Sequence, residues 1–135
     1  MIKKVNHIAV VVPDLDDAMH FWVDALGLEL SHKEHVASQA VDVAFLPVGD
    51  SKIELLQPTD DESGVARYLA KKGPGMHHIC FEVDDIEAAL ARLKEADVQL
   101  INEVPATGSD GRKFAFVHPK SANGVLVELY ELVAG

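Results

Sequence analysis

The chain has 135 residues, 48% of them hydrophobic, and 22 acidic against 12 basic side chains leave a formal charge of −10. That length and apolar content fit a single domain with a proper core, the charge argues against a nucleic-acid binder, which needs a basic footprint, and no apolar run approaches the roughly 20 residues of a membrane span. The lone cysteine, Cys80, cannot form an internal disulfide, and the N-terminus enters a strand pattern without the apolar region of a signal peptide, so a reducing cytoplasm is the expected compartment.

Residues 2–12 alternate as a strand, with Ile8, Val10 and Val12 on one face and Val5, His7, Ala9 and Val11 on the other. Pro13-Asp14 starts a helix whose stripe is Leu15, Ala18, Met19, Trp22, Ala25 and Leu26, and Gly27 stops it. Residues 28–36, 41–48 and 52–57 read as three more strands, the last two joined by a tight turn at Val48-Gly49-Asp50-Ser51. Residues 59–75 form a connector with a short helix carrying Val65, Tyr68 and Leu69, closed by Lys71-Lys72-Gly73-Pro74-Gly75. The pattern then starts again. Ile79, Phe81 and Val83 line a strand; Asp85 caps a helix with Ile86, Ala89, Leu90 and Leu93; residues 98–102, 112–118 and 125–132 are strands.

The restart is a repeat. Asn6-His7-Ile8 through Asp14 matches His77-His78-Ile79 through Asp85 at an offset of 71, and Ile53-Glu54-Leu55 matches Val127-Glu128-Leu129 at an offset of 74. The three extra residues fall in the loop at Thr107-Gly108-Ser109-Asp110-Gly111. The expected architecture is α+β: two tandem βαβββ modules (1–58 and 76–133, joined by the 59–75 connector) forming one domain with a curved mixed sheet.

Strand alternation turns His7, Glu54, His78 and Glu128 away from the faces that pack under the helices. A single strand histidine or glutamate is more often a solvated or hydrogen-bonded side chain than a ligand. Two of each at equivalent places in a repeat make a set suited to a divalent transition ion with positions left open for substrate. His77 falls on the alternate face and is read as structural. His20, His32, His35 and His118 show no partner spacing, and Cys80 beside the site is a small apolar filler. No phosphate loop, nucleophile elbow or Cys-x-x-Cys occurs. Arg112, Lys113 and Lys120 are the cations that cluster late enough to receive an anionic ligand.

These residues resemble the vicinal oxygen chelate (glyoxalase/bleomycin resistance/dioxygenase) superfamily. Within it, Asn6-His7-Ile8-Ala9-Val10, Ile53-Glu54-Leu55-Leu56-Gln57-Pro58, Gly75-Met76-His77-His78-Ile79-Cys80 and His118-Pro119-Lys120 through Glu128-Leu129 resemble the methylmalonyl-CoA epimerases, along essentially the whole chain. The resemblance implies a homodimer with a divalent ion (Co²⁺, Mn²⁺, Ni²⁺, Zn²⁺ or Fe²⁺) on His7, Glu54, His78 and Glu128. It also implies a malonyl-type acyl-CoA thioester as substrate, whose C2 proton leaves through an enediolate. Epimerisation requires acid/base groups on both sides of C2. Glu128 is implied as one, and the family's other glutamate falls on Ser38, a poor base without an activator. The second group is thus Ser38, or a neighbour such as Glu34 or His35, or a bound water, or else the substrate differs. Lys113 and Lys120 are candidate CoA contacts. The alternatives to an epimerase are a glyoxalase I-like lyase and a metal-free small-molecule-binding protein of the same fold; a ring-cleaving dioxygenase would want two histidines and one carboxylate on Fe(II).

Overall fold

The computed structural model describes residues 2–108 and 110–132. Ser109, in the loop expected to hold the extra residues, and Val133, the expected end of the second module, lie outside them. The chain divides into two compact units: His7–His77 is one, and the residues up to Asn6 together with those from His78 onward are the other.

In the first unit, strand β1 (Ile2–Val11), counted from His7, lies beside β4 (Ser51–Pro58) in parallel, and β4 pairs antiparallel with β3 (Val41–Val48), which pairs with β2 (His32–Val36). The sheet has two apolar faces. Val12, Ala44, Leu46 and Leu55 pack against Leu15, Ala18, Met19 and Trp22 of the first helix. Ala9, Val11, Val41, Val43 and Leu56 pack against Val65, Tyr68 and Leu69 of α2 (Gly64–Lys72).

The first helix begins as expected, with Asp14 accepting from the Asp17 amide at 3.0 Å to cap α1 (Leu15–Met19). From His20 to Ala25 it widens into a π-helix, and the Leu26 amide bonds the Phe21 carbonyl five residues back at 2.8 Å. The wider turn advances the packing phase by a residue. Val23 and Leu28 join the core in place of the expected Ala25 and Leu26, and Leu26 is left 53% exposed. The strand expected from residue 28 starts only at His32.

In the second unit, β5 (Gly75–Val83), counted from His78, is parallel to β8 (Val127–Glu131). β8 pairs with β7 (Lys113–Val117), and β7 pairs with the two-residue β6 (Ala106–Thr107). Helix α3 (Ile86–Glu95), capped by Asp85, buries Ile86 and Leu90 against Val83, Ala115 and Leu129. The strand expected at 98–102 does not form. Only Leu100 bridges, to Val117, because this segment's polar groups are bound irregularly: the Gln99 amide to Ser121 Oγ, and Asn102 Oδ1 to the Phe116 amide, each at 2.8 Å.

One tether recurs. The amide of Leu15, the first residue of α1, donates to Gln57 Oε1 at 2.8 Å, and the amide of Ile86, the first residue of α3, donates to Glu131 Oε2 at 2.9 Å. Gln57 stands three residues after Glu54, and Glu131 three after Glu128. Each carboxylate-bearing strand is therefore bonded to its own unit's helix start, satisfying an amide with no partner inside the helix.

Candidate metal and substrate site

Alternation on β4 puts Glu54 between Ile53 and Leu55 but on the opposite face, where it registers with Ala9 on β1 and Phe45 on β3. His7, two residues before Ala9, points the same way, and its Nδ1 lies 3.1 Å from Glu54 Oε2. The second unit reproduces this. Glu128 registers with Cys80 on β5 and Phe116 on β7, and His78 Nε2 lies 3.1 Å from Glu128 Oε1. The side chains are well buried in both pairs, 11% and 14% exposed for His7 and Glu54, 10% and 13% for His78 and Glu128. The His78 ring stands edge-on to Phe116, which limits its rotation. Cys80 is fully buried in the position held by Ala9 in the first unit.

Each unit thus holds an imidazole and a carboxylate, donors that suit a divalent transition ion. Buried carboxylates call for a compensating cation, so the donor chemistry of the two pairs fits the implied metal.

The remaining histidines divide by role. His77 lies edge-on to Tyr68. His118 Nδ1 accepts from the Lys120 amide at 3.0 Å and so caps the short turn Pro119–Ser121. His20 pairs with Asp24 on the surface. His35 bonds Asp42 at 2.8 Å on the face of the sheet that packs against α1. His32 differs. It registers with Phe45 on Glu54's face, stacks on that ring at 4.5 Å, and contacts Glu34 Oε1 through Nε2 at 3.2 Å. Glu34 shares this face. Ser38 sits exposed in the 3-10 turn Ala37–Gln39, and none of the hydrogen bonds among the described residues engages its side chain.

Two groups escape a reading by motif. Lys52, on Glu54's face of β4, places Nζ 4.0 Å from Glu54 Oε2 and 5.7 Å from the centre of the Phe45 ring. Tyr130, on Glu128's face of β8, donates its hydroxyl to Asp110, and the Arg112 guanidinium lies 5.6 Å from its ring. Burial and the Asp110 hydrogen bond raise the Tyr130 phenol to about 12. Burial works against the Asp110 carboxylate, but the bonds from Tyr130 and the Arg112 amide prevail and hold it below its ordinary range. Strand parity alone could have flagged Lys52 and Tyr130, because each stands two residues from a histidine-paired glutamate. Lys113 is exposed on the face of Ala115 and Val117, away from Glu128, and Lys120 is exposed in the turn after His118.

Among the described residues, no helix is long and apolar enough to cross a membrane. Residues 6–116 match the model of the Glyoxalase/Bleomycin resistance protein/Dioxygenase superfamily. The chain is 42% identical to the mitochondrial methylmalonyl-CoA epimerase of Homo sapiens over 129 residues, covering 95% of this chain and 73% of that protein. It is 41% identical to the ethylmalonyl-CoA/methylmalonyl-CoA epimerase of Cereibacter sphaeroides over 134 residues, covering 98% and 100%. A solved structure of a Streptomyces coelicolor methylmalonyl-CoA epimerase variant in complex with 2-nitronate-propionyl-CoA superposes with a TM-score of 0.86 at 35% identity, covering 99% of this chain and all of that one. The chain therefore belongs to the Glyoxalase/Bleomycin resistance protein/Dioxygenase superfamily and, within it, to the family of these methylmalonyl-CoA epimerases.

Proposed function

We propose that the chain is a divalent-metal-dependent epimerase that interconverts (R)- and (S)-methylmalonyl-CoA by removing and returning the C2 proton. The observation that carries this is the twice-built pair of buried imidazole and carboxylate, His7 with Glu54 and His78 with Glu128, each at 3.1 Å. It occurs in a chain 41% identical to an epimerase along that protein's whole length. The four residues would hold one ion, whose contribution when bound is to polarise the thioester carbonyl and ease loss of the C2 proton.

The protein's own groups supply the proton transfers. Glu128 takes and returns the proton on one side of C2. For the other side we place the role on Glu34, oriented by His32 Nε2 at 3.2 Å, because Glu34 shares Glu54's face whereas His35 does not. The Ser38 hydroxyl, with no base bonded to it, is left out of the chemistry. Lys113 and Lys120 are surface cations available to the CoA phosphates. We further read residues 1–135 as one domain of two modules acting as a homodimer in the cytoplasm, where a buried free thiol such as Cys80 is at home.

The test is incubation of Co²⁺-loaded protein with a single epimer of methylmalonyl-CoA in heavy water. Epimer interconversion with deuterium appearing at C2 is expected. Neither event in protein shown to hold stoichiometric metal would refute the reading.

A further inference from the structure

We propose that Lys52 has two alternating partners: it competes with the metal for Glu54 and, once Glu54 is engaged as a ligand, receives the free carboxylate of the substrate. Lys52 and Glu54 are two residues apart on β4 and share a face, and Lys52 registers with His7 across to β1. Its Nζ lies 4.0 Å from Glu54 Oε2, the same oxygen that His7 Nδ1 approaches to 3.1 Å. The Phe45 ring, 5.7 Å from Nζ, flanks the ammonium, and the side chain is 35% exposed, so it can pivot outward without leaving the site face.

The second unit lacks a lysine at the equivalent place. Two residues before Glu128 stands Leu126 where the first unit has Lys52. That asymmetry matters because the two His–carboxylate pairs are otherwise alike. A malonyl-type thioester offers two oxygen donors of similar reach, a carboxylate and a thioester carbonyl, and the paired ligands do not distinguish them. A single ammonium on one side does. It draws the carboxylate toward the Glu54 side and leaves the thioester carbonyl on the other, so every substrate molecule binds in one orientation. Charge balance agrees. Two carboxylate ligands cancel a divalent ion, the substrate's carboxylate adds one negative charge, and Lys52 offsets it.

The inference rests on the epimerase reading, and its two halves are tested on the full chain with Lys52→Met and Lys52→Arg. In titration calorimetry with Co²⁺ alone, Lys52→Met should bind the ion about five-fold more tightly, because a competing cation near Glu54 is gone. In steady-state epimerisation the same variant should raise KM for methylmalonyl-CoA about ten-fold while changing kcat much less, and Lys52→Arg should restore both values. Unchanged or weaker Co²⁺ binding by Lys52→Met would overturn the competition, and an unchanged KM would overturn the carboxylate contact. Wild-type protein that binds Co²⁺ but leaves methylmalonyl-CoA untouched refutes the epimerase reading and the carboxylate contact with it, while the Co²⁺ titration still decides the competition.

Discussion

Glu54 and Glu128 offer an internally controlled test of what a carboxylate does in this protein. Their settings nearly coincide: each lies 3.1 Å from a histidine nitrogen, at 14% and 13% side-chain exposure, beside a small residue on one neighbouring strand and a phenylalanine on the other. If both are ligands as proposed, replacing either by glutamine removes one anionic donor and should weaken Co²⁺ binding to a similar degree. The proposal gives Glu128 a second task that Glu54 lacks. Loss of a positioned general acid/base costs about 10²–10⁴ in rate, or roughly 3–5 kcal/mol at 1.36 kcal/mol per decade. With both variants brought to equal metal occupancy, verified by elemental analysis, Glu128→Gln should therefore fall below Glu54→Gln in kcat by at least 10². Glu128→Gln should also still incorporate deuterium at C2 of one epimer, through the group on the opposite side, without inverting it. Equal kcat values at equal occupancy would show that Glu128 is a ligand only.

Glu34→Gln should lower kcat at least about 100-fold, whereas His35→Asn and Ser38→Ala should stay within about two-fold; a loss confined to Ser38→Ala in the epimerisation assay would reassign the second group. Gln57→Leu strands the part-buried Leu15 amide and should cost about 1–2 kcal/mol in urea unfolding, while Glu131→Gln, which keeps an acceptor oxygen for Ile86, should be nearly neutral. Tyr130, raised in the folded protein to about 12 from an ordinary 10, contributes stability that is complete below pH 10 and lost as pH rises through 12. Unfolding free energies measured across that window should decline in the wild type, and Tyr130→Phe should remove that part of the decline.

Much of the site was legible from alternation and repetition. Period-two patterning separated Ile53 and Leu55 from Glu54, and it chose His78 over His77, because a strand gives adjacent side chains opposite faces whatever surrounds them. What alternation could not supply was partnership across strands. His32 looked isolated because its stacking on Phe45 depends on the β2–β3 register. Lys52 was not singled out, because parity gives only its face and not its 4.0 Å distance to Glu54. The misplaced helix stripe has a different cause. A π-helical turn keeps a helical hydrogen-bond pattern but changes the residue count per turn, so a 3.6-residue template fits Leu15 to Trp22 and then drifts. The missing strand at 98–102 reflects side chains, Asn102 and Ser121, competing with the ladder for backbone partners.

The paired tethers also make two amides into reporters. The first amides of a helix usually exchange with solvent quickly, because nothing inside the helix accepts from them. Those of Leu15 and Ile86 are instead bonded to side chains three residues beyond Glu54 and Glu128. Their hydrogen exchange reads the order of the two carboxylate-bearing strands from a position that no substrate atom needs to touch. If ion binding stiffens those strands, both amides should slow together, and a perturbation reaching only one half of the repeat would separate their rates.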